Sequence, residues 1–344
     1  MGRSIWNQLL KGSAIFVTLA TAGCGGNAPG VENQTSNVTN NTANSATSGA
    51  ERKTVRIGFS PNIVQPQPIL LQANPKYAAL GPNLKFEFKA HQAGPAVIEA
   101  LRAGTIDVGY SGTLPPLKAW AKAQDIVILA GATDGGTGLT VLKNSPIKSV
   151  KDLKGKTVGI NQLGSMVDGL VRYTLIQNNL LPDRDVKIQP IEPALQAEAL
   201  KRGLAAAVAA PAPWPSQVEI SGNGRTLVSW KDIFNDGKYA SAVLYTTRKI
   251  ADSNPELIKE YVALHRKITD TINADRTKGD ADILQAWQAV SKKKLSPEIA
   301  RAAFKTITFT NDPNPTGIDR TADLMVKTGI AKKKPDLKGF VREF

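Results

Sequence analysis

Apolar and polar positions along residues 53–344 change period block by block. Residues 55–59 (VRIGF) and 84–90 (LKFEFKA) read as strands, the second by strict alternation. Residues 96–104 (AVIEALRAG) switch to the helical period. Val97, Ile98 and Leu101 share one face, Pro95 suits the first turn and Gly104 the stop. A strand follows at 106–110 (IDVGY), then a helix at 117–123 (LKAWAKA). Residues 126–130 (IVILA) are wholly apolar, which predicts a strand buried on both faces of a parallel sheet. After the Gly-rich stretch 133–138 the series restarts. Strands are predicted at 158–160, 186–191, 205–210 and 225–229, with helices at 165–177, at 195–202 and from Pro213-Trp214-Pro215. Residues 240–247 (ASAVLYTT) form a strand that can return the chain to the first unit, and the sequence beyond Asn254 is mostly helical.

Strands alternating with helical crossovers imply an α/β fold of two doubly wound lobes joined by two crossing segments. Lobe 1 is expected to hold residues 53–138 and 244–344, and lobe 2 residues 139–243. Ligands of open α/β sheets sit beyond the carboxyl ends of the strands, where helix N-termini present unpaired N–H groups suited to anions. Five junctions supply small polar residues there. They are Ser60 with Asn62, His91 to Gly94, Ser111-Gly112-Thr113, Gly135 to Thr137, and Gln162 to Ser165 with Gly164 between. Glycine permits close backbone approach, and hydroxyls add neutral donors. Ser165 and Asp168 also spell a capping box, which accounts for that serine without any ligand. Asp134 and Asp168 are the acidic residues nearest these junctions, and either could face the cleft.

The amino-terminal stretch has a different character. Arg3 and Lys11, then the apolar run 13–20 and a Thr-Ala-Gly-Cys ending, predict a secretory signal over residues 1–24. Residues 25–52 are rich in Asn, Thr, Ser, Gly and Ala, the composition of a disordered tether. Cys24 is the sole cysteine, so no intrachain disulfide can form. The net charge of +14 is scattered along the chain, with one short run at Lys332-Lys333-Lys334. It suits a field that draws in anions. An exported chain without a nucleic-acid motif is not expected to bind nucleic acid. His91 could donate to an anion, whereas His265 lies mid-helix and is read as structural. Two distant histidines do not make a metal site or a catalytic triad, and no cofactor is expected.

The string 145–159 (SPIKSVKDLKGKTVG) resembles solute-binding proteins of ABC importers for sulfonate, nitrate and taurine. So do Ala93-Gly94-Pro95 with Glu99-Ala100-Leu101, the 106–110 strand, Gly112 with Pro115-Pro116, Glu198-Ala199-Leu200 with Gly203, and Pro213-Trp214. The Gly-Cys ending resembles a bacterial lipobox, which implies lipidation of Cys24. The family implies a type II periplasmic-binding-protein fold that closes on a small solute and docks on a permease with a cytosolic ATPase. It further implies a non-enzymatic monomer, lipid-anchored on the periplasmic or cell-surface side. Members often carry Asp where Thr113 stands and an acidic residue where Ala212 stands. Without that carboxylate an ammonium on the ligand loses an obvious partner, which favours an aliphatic sulfonate over taurine. Trp214 could pack on the ligand's tail. The alternatives are nitrate or bicarbonate, taurine, a pyrimidine precursor, or a sensory lipoprotein with a degenerate cleft.

Overall fold

The computed structural model describes residues 52–234 and 239–344. The predicted signal, the lipidation candidate Cys24 and nearly all of the predicted tether lie outside the described residues.

The first lobe begins with β1 (Lys53–Phe59), α1 (Pro66–Ala73), α2 (Pro75–Ala78), β2 (Leu84–Ala90), α3 (Gly94–Arg102), β3 (Val108–Ser111), α4 (Leu114–Ala123) and β4 (Ile126–Gly135). The second comprises β5 (Thr137–Leu142), β6 (Thr157–Ile160), α5 (Met166–Gln177), β7 (Lys187–Pro190), α6 (Gln196–Lys201), β8 (Ala207–Pro211), α7 (Trp214–Ile220), β9 (Gly224–Val228) and α8 (Trp230–Ile233). The chain returns through β10 (Ala240–Thr247), then α9 (Arg248–Ser253), α10 (Pro255–Ala274), α11 (Arg276–Ser291), α12 (Pro297–Phe304), β11 (Ile307–Phe309) and α13 (Pro315–Lys327). No helix among the described residues is long and apolar enough to cross a membrane.

Two sheets result. The six-stranded sheet runs β11-β4-β10-β3-β1-β2 and the five-stranded sheet β7-β6-β8-β5-β9. Each lobe places its first three parallel strands in the order second, first, third. The strand arriving from the other lobe inserts next, antiparallel: β10 beside β3, and β5 beside β8. This exchange makes the doubly wound α/β pair. The sheets put the crossings at Gly136 and just before Ala240, where the sequence reading set them at 138/139 and 243/244.

Two features differ from the sequence reading. β4 is buried nearly throughout, yet both its neighbours, β10 and β11, are antiparallel. Helices α4 and α10 pack against β4, and periodicity cannot distinguish burial under helices from parallel pairing. The Gly-rich 133–138 stretch is two strands meeting at Gly135-Gly136, both at positive φ, rather than a loop opening a helix.

The lobes share one apolar seam. Met166, Leu170, Ala212 and Trp214 of the second lobe belong to the main core of the first. The deeper strand residues of lobe 2, such as Val158, Ile160 and Ala209, form their own cluster. The start of α5 therefore serves both cores, with Met166 in the first and Val167 in the second.

Candidate functional site

The parallel strands β1, β3, β6 and β8 end at one crevice between the lobes. The turn after β1 satisfies its own backbone. Ser60 N–H donates to Gln65 Oε1 at 2.9 Å, and Gln65 N–H donates to Asn62 O at 3.1 Å. The side chains are left over: Ser60 Oγ and Asn62 Oδ1 are buried with no protein partner. A buried hydroxyl or amide without a partner is costly unless something else fills its place.

The turn after β3 brings Ser111 and Gly112. The Tyr245 hydroxyl donates to Ser111 Oγ at 2.9 Å, and Ser111 donates to Gly112 O at 3.0 Å. A methyl on Gly94 would lie 2.8 Å from Ser111 Oγ, so only glycine lets α3 begin this close.

Across the crevice, α5 opens after Ser165. Ser165 Oγ accepts from Asp168 N–H at 3.3 Å and donates to Asn161 Oδ1 at 2.9 Å. Asp168 turns back: its carboxylate accepts from Gly164 N–H at 2.7 Å and from Arg172 Nε at 2.7 Å. The Gly164-Ser165 turn is therefore a cap whose own donors are in use. The next two N–H groups, of Met166 and Val167, have no partner among the described residues, and both residues line the crevice. At the crossing, Thr137 N–H donates to the Tyr239 hydroxyl at 2.8 Å.

These groups surround an inner cavity of about 50 Å³. Seven residues singled out in the sequence line it: Ser60, Asn62, Gly94, Ser111, Gly112, Thr137 and Ser165. His91 and Trp214 line an adjoining outer vestibule of about 440 Å³, together with Ser60 and Asn62. Gln162 and Gly164 lie on the opposite rim. Thr113 stands apart, fully buried, its hydroxyl donating to Ala240 O at 2.8 Å. Gln92, within the predicted His91 to Gly94 junction, also lines the cavity, as do Gln65, Asn161 and Ser241, which the sequence reading did not name as candidates.

No charged side chain lines the inner cavity. Asp168 is held away by Gly164 and Arg172. Asp134 Oδ2 accepts from Asn314 Nδ2 at 3.2 Å and is not part of the lining. In the vestibule, Glu192 of lobe 2 accepts from Lys293 of lobe 1 at 2.8 Å, and the same ammonium lies 5.0 Å above the Trp214 ring. Trp214 packs edge-on against Trp287, with ring centroids 6.0 Å apart. His91 is half-buried, and its Nε2 has no partner. Burial, then the charge of Lys89, push its pKa down, so the ring is neutral near pH 7 and offers one N–H. Among the described residues no three His, Cys, Asp or Glu side chains gather closely enough to hold a metal ion. A cavity of neutral donors converging from two lobes can hold a small oxyanion through hydrogen bonds alone, without a countercharge.

Residues 48–286 match the NMT1-like family. The chain belongs to that family. It is 28% identical over 261 residues to an Escherichia coli (strain K12) protein named for binding aliphatic sulfonates, covering 75% of this chain and 79% of that protein. Among solved structures, the alkanesulfonate-binding protein SsuA of Xanthomonas axonopodis pv. citri, bound to MOPS, superposes with a TM-score of 0.71 at 23% identity. The match covers 86% of this chain and all of that one. The periplasmic aliphatic sulphonate-binding protein SsuA of E. coli gives a TM-score of 0.66 at 25% identity, over 85% and 92%. The fold of this NMT1-like protein is that of the periplasmic binding proteins.

Proposed function

We propose that this protein is the extracytoplasmic solute-binding component of an ABC importer and captures an aliphatic sulfonate between its lobes. The observation that carries the reading is the inner cavity. About 50 Å³ suits an oxyanion head rather than a whole organic molecule, and every polar group lining it is uncharged. The sulfonate head accepts from Ser60 Oγ, the Asn161 amide and the first N–H groups of α5. Asn62 contributes through its amide nitrogen when that group is turned over. The tail extends into the vestibule against Trp214, Pro193 and Val290. An ammonium two carbons from the head would find Glu192 already engaged by Lys293, so taurine is a poor ligand.

Binding works by differential affinity. Only the closed form brings donors from both lobes onto one anion, so the ligand shifts the population toward closure. The closed protein then docks on a permease. Lipidation of Cys24 and a tether over residues 25–52 would keep the body near that membrane.

A second reading, an inorganic anion such as nitrate or bicarbonate, is favoured by the smallness of the inner cavity but leaves the vestibule unused. A thermal-shift screen of ethane- and butanesulfonate, taurine, nitrate and bicarbonate decides between them. A ligand present at 100-fold its Kd should add about 2.7 kcal/mol of stability. A larger shift with butanesulfonate than with taurine or nitrate is the expected result. An equal shift with taurine would contradict the sulfonate reading.

A further inference from the structure

The hollows on the two sides of the inner cavity differ in their electrostatics. On the vestibule side the charges at the mouth, Glu192 and Lys293, neutralise each other. On the other side, two adjoining hollows of about 480 and 370 Å³ share Lys118 and Lys122 of α4. The first reaches Gln162 and Gly164, the neighbours of the cavity residues Asn161 and Ser165, and shares Pro115 with the cavity itself. Lys118 Nζ comes within 3.8 Å of where a β-carbon on Gly164 would lie, so it stands at the rim between the lobes.

The charge balance of this rim is one-sided. Lys118, Lys122, Lys332 and Lys333 are all exposed and have no ion-pair partner among the described residues. Arg102 is held by Asp125 at 2.8 Å, with Glu99 at 4.0 Å. Glu99 is the sole acidic residue lining either hollow. Unpaired cations beside a cleft raise the local concentration of anions and their association rate, by roughly 10-fold to 1,000-fold, and salt removes the effect. They would also complement a cavity that holds its anion with neutral groups, which bind at contact but exert little field at a distance.

We propose that Lys118 and Lys122, at the rim between the lobes, steer the anion toward the open cleft without contacting it once bound. This rests on the anion-binding reading of the inner cavity. Steering sets the association rate and its salt dependence, whereas the neutral cradle sets the dissociation rate.

The test is stopped-flow association of butanesulfonate with the full chain, followed by tryptophan fluorescence, at ionic strengths from about 10 mM to about 500 mM. The Lys118→Glu/Lys122→Glu variant is expected to associate about 10-fold more slowly at low salt. Its dissociation rate should match the parent's, and the difference should vanish at high salt. The comparison is Lys85→Glu/Lys249→Glu, which changes net charge equally. Those lysines lie at the start of β2 and after the end of β10, the sheet ends away from the crevice. Equal slowing by both pairs, a change confined to dissociation, or a gap that persists at high salt would overturn the proposal. Absence of any binding by the parent protein would instead defeat the anion-cradle reading, and the steering with it.

Discussion

A β-carbon on Gly112 would lie 2.4 Å from the Met166 Cβ. Gly112 ends the β3 turn of lobe 1 and Met166 begins α5 of lobe 2, so the lobes meet backbone against side chain beside the ligand cavity. Gly112→Ala should keep the lobes from closing fully. Calorimetry is expected to show affinity for butanesulfonate lowered about 10- to 100-fold, because the closed state loses population. Unchanged affinity would show that the seam is not part of closure.

Ser60 and Thr113 separate binding from folding. Ser60 Oγ is a buried hydroxyl without a partner, whereas Thr113 Oγ donates to Ala240 O. Ser60→Ala should weaken ligand binding by about 1–2 kcal/mol and leave the unliganded protein as stable as before or more so. Thr113→Val should cost about 1 kcal/mol of stability by leaving a buried carbonyl unpaired, with affinity kept. Parallel urea titrations and calorimetry check both, and the reversed pattern would contradict the assignment.

The Glu192–Lys293 pair crosses the vestibule, but both side chains are substantially exposed. Exposed pairs are worth about 0–1 kcal/mol and are screened by salt. Glu192→Gln is therefore expected to lower affinity no more than about fivefold at low ionic strength and not at all near 0.5 M salt. A loss exceeding tenfold that survives high salt would mean that Glu192 contacts the ligand.

His265 gives the fold a defined acid sensitivity. Its Nε2 lies 2.7 Å from Gly131 O and its Nδ1 3.0 Å from the Tyr110 hydroxyl. A carbonyl only accepts, so Nε2 donates; with the buried ring neutral, Nδ1 accepts from the Tyr110 hydroxyl. Burial pushes its pKa down to about 4. Unfolding releases the ring to a pKa of about 6.5, so the unfolded chain binds the extra proton between these values. The stabilisation is complete above about pH 6.5 and is lost as pH falls toward 4, by about 3 kcal/mol. The stability gap between the parent and His265→Gln, from urea denaturation at pH 7 and pH 4.5, should shrink accordingly. A gap independent of pH would contradict a neutral buried ring.

Much of this was legible in the sequence because burial leaves a period. The alternation in 84–90 and the Val97, Ile98 and Leu101 face became β2 and α3. β5 was not, because TGLTVL follows a run of glycines and its pairing with β8 and β9 is entirely non-local. At the site, hydroxyls at strand-to-helix junctions could be marked as candidates, but their roles turned on contacts with distant residues. The Ser165 cap was legible from its spacing to Asp168, whereas the turn of the Asp168 carboxylate onto Gly164 N–H and Arg172 was not. Thr113 became a tie to β10. Asn161 and Ser241 reach the cavity through lobe packing that no local pattern encodes.

The central claim is that uncharged donors from both lobes together hold the anion. A crystal structure with butanesulfonate tests it most directly. The account predicts sulfonate oxygens within hydrogen-bond distance of Ser60 Oγ on one lobe and of the Met166 or Val167 N–H on the other, with the tail toward Trp214. A sulfonate bound to one lobe alone, or held by a lysine or arginine side chain, would contradict it.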